Sequence, residues 1–371
     1  MQVPTRVALV RGSASGGTAA HVAALAAGCR AAGVAVRVFG PAPAAGLLGQ
    51  DVPVTPVKIT DRPRPVSDAV TVARLASAFR AWRPDVVHAH GVRAGAFAAL
   101  ALLGRATRPA LVVTVHNAPP VGRPARLSYE LLERICARRA DLMLGASADL
   151  VVRLRNLGAA EVTQFDVPAP LVQPPTADQV AKAGADVGAA GRPVVLAAGR
   201  LAPQKSLDVL VDAAARWQHR EPRPVTVIAG DGPLAGELRA RADRTGADVR
   251  LLGQRPDVPA LLALADVVVV PSRWEARALI VQEAMRAGRP LVATRTGGIP
   301  ELTGEDAAVL IPPGDPDALA AAVCAVLDDP TLAARLGQAA RARSATFAAE
   351  PAANNAALAI YARLAAGRTG S

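Results

Sequence analysis

Aromatic side chains are scarce in this chain: 3 Trp, 2 Tyr and 5 Phe make up 3% of its 371 residues. A single-stranded nucleic-acid surface needs rings among its cations for bases to stack on. The basic pI of about 10.9 therefore does not point to nucleic acid. Cysteine is scarcer still. Cys29, Cys136 and Cys324 stand far apart, lack metal-ligand spacing and read as reduced, buried thiols of a cytosolic protein. Long apolar runs are missing as well: stretches such as 94–103 fall well short of the roughly 20 residues that span a bilayer. Residues 1–10 lack the basic-then-apolar layout of a signal peptide. The expectation is a cytoplasmic protein, soluble or peripheral at the inner face of a membrane.

Lysine, too, is nearly absent, with three against 39 arginines, and charge is unevenly spread. Residues 1–175 carry 20 Lys+Arg and 10 Asp+Glu, whereas the rest carries 22 and 21, so +10 of the net +11 lies in the first part. Two origins stay open: an arginine bias throughout, or an acidic partner for that half, such as anionic lipid, a phosphorylated acceptor or nucleic acid. Just over half of the residues are apolar, enough for a sizeable core. The length favours two domains. Abundant alanine lets helices approach a sheet closely.

Short apolar runs at 6–10, 34–39, 85–90, 111–116 and 141–144 read as buried strands. Helical stretches separate them, one over 18–32 closed by Gly33 and one ending at Trp82. That alternation predicts a doubly wound parallel sheet. Residues 168–192 are rich in Pro, Gly and Ala, show no sustained period and read as a linker. The alternation restarts at 194–197, 225–229, 249–252, 267–270 and 291–294, and 330–366 is helical. Two Rossmann-like units in series follow, with no repeat of solenoid length.

Several segments carry chemistry. Gly199-Arg200-Leu201-Ala202-Pro203-Gln204-Lys205 follows a strand and precedes a helix starting near Ser206. Two cations and backbone N–H groups at a helix start suit a diphosphate; the alternative is a loop Arg and Lys without a ligand. In Ala229-Gly230-Asp231-Gly232-Pro233 the glycines permit either close approach to a ligand or a tight turn into a helix. Glu275 and Glu283 follow the 266–271 strand, the second inside a helical pattern. Carboxylates at the carboxyl end of a parallel strand lie where open α/β sheets bind ligands, and two of them suit a sugar and a ribose. A lone Glu on a helix is otherwise a solvated face. Arg11-Gly12-Ser13-Ala14-Ser15-Gly16-Gly17 is Gly-rich but has neither P-loop nor dinucleotide spacing. His88, His90 and His116 lie at strand ends without a carboxylate or Cys at ligand spacing, so no metal is expected.

Taken together, these segments resemble retaining glycosyltransferases of family 4, which have the GT-B fold. The resemblance rests on Glu275-x7-Glu283, on Gly199-Arg200-Leu201 with Lys205 five residues after the Arg, and on two downstream runs. These are Glu283-Ala284-Met285-Arg286-Ala287-Gly288-Arg289-Pro290 and Gly297-Gly298-Ile299-Pro300-Glu301. It covers most of the chain and is strongest over 193–311.

The resemblance implies an α/β fold of two Rossmann-like domains with a cleft between them. Residues 1–175 would bind acceptor and 176–351 the nucleotide sugar, with a terminal helix near 352–364 packing back on the first domain. It implies transfer of a hexosyl unit, with retention, from a UDP- or GDP-sugar to an acceptor hydroxyl, with a lipid or a phosphorylated molecule among the candidate acceptors. Its catalytic set is His116, Arg200, Lys205 and Glu275. Glu275 would contact the donor sugar, Glu283 the ribose, and Arg200 and Lys205 the diphosphate. Gly16, Gly17, Gly199, Asp231, Gly232, Leu279 and Ile280 complete the donor site. His116, within Thr114-Val115-His116-Asn117, would reach the transferred sugar. His88 and His90 would line the acceptor side or cap a strand, and His21 is structural. No metal and no cofactor are implied.

Three departures stand out: Ser206 where the family usually has Gly, Ala276-Arg277-Ala278 where it usually has Gly or Ser, a small residue and then Gly or Pro, and Phe165-Asp166-Val167-Pro168 where it often has Asn-Gly-Val-Asp. Arg277 beside a donor sugar points to an acidic sugar or a reshaped pocket. A sugar-nucleotide epimerase of the same fold, and a degenerate sugar-nucleotide binder, are the alternatives.

Overall fold

The computed structural model describes residues 6–13, 16–41, 48, 52–60, 63–105, 107–120 and 122–369. Ala14 and Ser15 of the first Gly-rich loop lie outside them. The chain divides into two compact units, 1–168 with 348–371, and 169–347. The first seam thus falls at Pro168/Ala169 rather than at 175/176, and the second at Phe347/Ala348 rather than at 351/352.

In the first unit the chain runs β1 (Arg6–Arg11), α1 (Gly17–Ala31), β2 (Ala35–Gly40), β3 (Val54–Pro56), α2 (Pro65–Trp82), β4 (Val86–His90) and α3 (Val92–Ala101). It continues through β5 (Ala110–Val115), α4 (Arg123–Arg139), β6 (Leu142–Gly145), α5 (Ala148–Asn156) and β7 (Val162–Gln164). The seven described strands form one parallel sheet in the order β3-β2-β1-β4-β5-β6-β7. Every residue of β4 and β5 is buried, as expected where helices cover both faces. Small residues set the spacing: a Cβ on Gly95 of α3 would stand 2.6 Å from Val113 Cγ1. The edge strands β3 and β7 have three residues each, too few to show a period, and the proline closing β3 is tolerated at an edge.

The second unit opens with α6 (Ala177–Val187), inside the stretch expected to be a linker. A capping box starts it: Gln179 N–H donates to Thr176 Oγ1 at 3.2 Å, and Thr176 N–H donates to Gln179 Oε1 at 2.8 Å. Its burial is confined to Ala183 and Val187, which hid the period. Then follow β8 (Val194–Ala198), a 3₁₀ turn (Pro203–Lys205), α7 (Leu207–Arg216), β9 (Val225–Ala229), α8 (Ala235–Thr245), β10 (Val249–Gly253) and α9 (Val258–Leu264). The unit ends with β11 (Val267–Val270), α10 (Leu279–Arg286), β12 (Leu291–Thr294), α11 (Ile299–Thr303), β13 (Val309–Ile311), α12 (Pro316–Asp328) and α13 (Pro330–Ser344). Its parallel sheet has the order β10-β9-β8-β11-β12-β13. One face packs Val187, Leu261 and Met285 into a core with Val268; the other packs Leu210, Leu238 and Val323 with Val269.

The last helix, α14 (Glu350–Thr369), belongs to the first unit. Its Ala357 and Tyr361 join Val7, Leu25 and Val38 in one core.

Candidate functional site

In the second sheet the strand order reverses between β8 and β11, and ligands of open α/β sheets gather beyond the carboxyl ends at such a point. Gly199 to Lys205 leaves β8 there, and Ser272 to Glu275 leaves β11. The two loops are tied together. Lys205 Nζ donates to Glu275 Oε1 at 2.6 Å, and Ser272 Oγ donates to the same oxygen at 2.7 Å. Glu275 is only 6% exposed, so its charge is held by this pair rather than by water. Gln204 Nε2 donates to Trp274 O at 2.9 Å, and Arg273 N–H donates to Gln204 O at 2.9 Å. Thr294 Oγ1, from β12, donates to Ser272 O at 2.6 Å. Gly199, Lys205, Ser272 and Ile280 line a small cavity at this junction.

Arg200 is exposed and, among the described residues, its side chain makes no ion pair or hydrogen bond. Ser206 is buried at φ 45°, ψ 42°, a left-handed conformation that favours the glycine expected there. Its Oγ accepts from Arg273 Nε at 3.1 Å. Gly230 shows the reverse: its φ is 145°, and a Cβ would stand 1.9 Å from Gly199 O, so this position excludes any side chain. Asp231 Oδ1 accepts from Gly232 N–H at 2.7 Å, holding the turn before α8.

Leu279 and Ile280 form the first turn of α10, both half-buried. Glu283, one turn on, faces a different depression, shared with residues 170–175, Val258, Leu262 and Arg286. Burial raises its carboxyl above the ordinary range, and Arg286 opposes that shift. The structure therefore joins Lys205 to Glu275 and sets Glu283 on a neighbouring surface of the same unit. Sequence reasoning missed Ser272, Gln204, Arg273 and Thr294. Only Ser272, three residues before Glu275, had a local signal, the spacing at which a hydroxyl meets a carboxylate.

The first unit reverses its strand order between β1 and β4. Gly16, at φ 78°, starts α1, and Gly17 is the first helical residue. Four of the five histidines gather here. His90 Nδ1 and His116 Nε2 lie 3.4 Å apart with their rings stacked, and His21 meets both edge-on at 5.4 and 5.8 Å between ring centroids. His88 bridges Tyr361 Oη and Thr114 Oγ1, each at 2.6 Å. Burial lowers His88 to about 3 and His116 to about 4. It also holds His21 and His90 well below the usual imidazole range, with neighbouring imidazoles adding to the effect. The cluster is thus neutral at physiological pH. Among the described residues no group of three or more His, Cys, Asp or Glu is arranged to hold a metal ion.

Residues 192–329 match the family model of glycosyl transferases group 1, and residues 16–170 match that of the glycosyl transferase 4-like domain. The glycogen synthase of Mycobacterium tuberculosis is 34% identical over 71% of this chain and 65% of its own length. The 2-deoxystreptamine N-acetyl-D-glucosaminyltransferase of Streptomyces fradiae is 32% identical over 68% and 64%. The chain thus spans just under two thirds of those two relatives. A GDP-mannose-dependent alpha-(1-6)-phosphatidylinositol monomannoside mannosyltransferase of Mycolicibacterium smegmatis is 30% identical over 67% of this chain and 69% of its own. In fold, the chain is similar to HepE of Anabaena in complex with UDP-glucose, with a TM-score of 0.82 and 23% identity over 96% of this chain and 99% of that one. It is equally similar to the sucrose-phosphate synthase of Thermosynechococcus elongatus, with a TM-score of 0.82 and 22% identity over 98% and 100%. Two parallel-sheet, Rossmann-like domains of the GT-B kind, with both family models matched along their length, make this chain a member of the glycosyl transferases group 1 family.

Proposed function

We propose that this chain transfers a hexosyl unit from a nucleoside-diphosphate sugar to an acceptor hydroxyl, with retention of configuration. The observation that carries this reading is the Lys205–Glu275–Ser272 constellation beside the exposed Arg200 at the reversal point of the second sheet. Arg200 and Lys205 take the diphosphate, with the N–H groups of Leu279 and Ile280 at the start of α10. Glu275 accepts hydrogen bonds from the donor sugar, and Glu283 from the ribose. Gly199, Asp231 and Gly232 shape the wall beside them.

In the step, the bond from the anomeric carbon to phosphate oxygen breaks and a bond to the acceptor oxygen forms on the same face. The acceptor proton passes to the leaving phosphate oxygen. Negative charge grows on that phosphate, and the Arg200 and Lys205 cations stabilise it most when it is largest. No resident metal is assigned. Acceptor recognition belongs to the first unit, where His116 offers a neutral imidazole to a hydroxyl; Gly16 and Gly17, which keep the backbone open beyond β1, serve the donor.

Peripheral attachment to an anionic membrane is part of the same reading. No described helix is long and apolar enough to cross a membrane. On α4, Leu127 and Leu131 are 64% and 59% exposed, among the exposed Arg123, Arg126, Arg134, Arg138 and Arg139. Low-salt sedimentation with anionic vesicles should retain the protein, and Leu127→Glu with Leu131→Glu should release it; no retention at any ionic strength refutes attachment.

A thermal-shift screen against UDP, GDP and their sugars tests the donor assignment. Ligand at 100-fold over Kd adds about 2.7 kcal/mol. Arg200→Ala should remove that shift, and a full shift in the variant refutes the diphosphate role. Turnover of the donor into an epimer without acceptor would point to an epimerase instead.

A further inference from the structure

At the opposite end of the first sheet, where β4 and β5 begin, a depression is lined by Arg80, Arg83, Arg105 and Arg108, with Asp85 beside them. Arg108 is neutralised by Asp141 through two bonds of 2.9 Å. Asp85 accepts the Arg6 backbone N–H at 2.9 Å. Among the described residues, Arg80, Arg83 and Arg105 make no ion pair and no side-chain hydrogen bond. Elsewhere arginines are paired: Arg93 and Arg153 of the first unit, and Arg192, Arg241 and Arg255 of the second, each have a carboxylate partner. Burial lowers the Arg105 guanidinium, and the neighbouring charge of Arg80 lowers it further. Arg83 adds backbone strain. It ends α2 at φ 51°, ψ 65°, a left-handed position that favours glycine or asparagine.

We propose that this depression binds a compact, phosphate-bearing polyanion through Arg80, Arg83 and Arg105. Guanidinium forks match phosphate oxygens two at a time, and an anion between like charges relieves their repulsion. Five residues of β4 separate this end of the sheet from His90, about 16 Å, so the site is distinct from the residues used above. The phosphate belongs either to a soluble diphosphate or to a lipid headgroup. An arginine at a left-handed position is a local strain of the kind found where a side chain holds a ligand.

Titration calorimetry with sodium pyrophosphate at low ionic strength tests the proposal, using the full chain with Arg200→Gln, which spares the Lys205–Glu275 pair. Binding is expected, and Arg83→Gly with Arg105→Gln should weaken it about tenfold or more, the loss of charged hydrogen bonds. Glycine suits the left-handed backbone, so Arg83→Gly should fold at least as stably as the parent; Arg105→Gln alone gives a second reading. No binding of pyrophosphate, or equal affinity in all variants, overturns the proposal. Sedimentation with phosphatidic acid vesicles separates the sources. If the same substitutions release the protein from vesicles, the ligand is a headgroup. If only pyrophosphate binding falls, it is soluble. Either result keeps the site.

Discussion

Lys205 Nζ and Glu275 Oε1 lie 2.6 Å apart, although 70 residues separate them in the chain. One comes from the loop after β8 and the other from the loop after β11, so the pair sets the distance between the two loops that would enclose a donor. Each charge also fixes the position of the other before any ligand arrives, which lowers the ordering cost of binding.

Removing the ammonium leaves a buried carboxylate with the Ser272 hydroxyl as its remaining side-chain partner among the described residues. Lys205→Ala should therefore cost on the order of 3 kcal/mol of stability. Lys205→Ala with Glu275→Ala should cost less than the sum of the single changes. Urea denaturation of the four proteins checks this, and additive losses would show that the pair is not coupled.

Gly230→Ala places a methyl group where Gly199 O stands. Overpacking against backbone should cost about 3 kcal/mol or more, and any folded fraction should bind nucleoside diphosphates poorly because the β8 loop has moved. Melting curves with and without UDP measure both effects.

The histidine cluster predicts an acid-sensitive first unit. The folded imidazoles of His88 and His116 titrate near 3 and 4, against an ordinary value of 6.5. An unfolded chain takes up these protons first, so the contribution is complete above pH 6.5 and is lost as pH falls towards 4. By pH 5 each should have lost about 2 kcal/mol. Urea midpoints between pH 5 and 7, where few carboxylates titrate, should rise with pH; a flat profile would contradict the burial of neutral rings.

Tyr361→Phe removes the hydroxyl 2.6 Å from His88 Nδ1 and leaves a fully buried ring nitrogen without its partner. The expected loss is about 1–3 kcal/mol. Hydrogen exchange should show faster opening of α14, because this bond ties the helix to β4.

The strands that carry the site were legible because burial on both faces turns them into uninterrupted apolar runs, as in Val267–Val270. Glu283 and Lys205 were legible from their places after β11 and β8 together with the family resemblance. The ion pair itself was not, since contacts across 70 residues leave no local period. Nor were β3, β7 and β13, at three residues each, or α6, whose helical start rests on the Thr176–Gln179 cap rather than on an apolar stripe. Ser206 appeared in the sequence as a departure; the structure gives it a left-handed backbone and a hydrogen bond from Arg273, which glycine would not accept through a side chain.

The place of α14 bears on how the protein is made. Ala357 and Tyr361 fill the same interior as Val7 and Leu25, so that interior can close only after residues 169–347 and much of α14 have been translated. During synthesis residues 169–347 can complete themselves first, although they are translated later than most of the first unit. A nascent chain stalled before residue 350 would expose an unfilled apolar seam along α1 to chaperones and proteases.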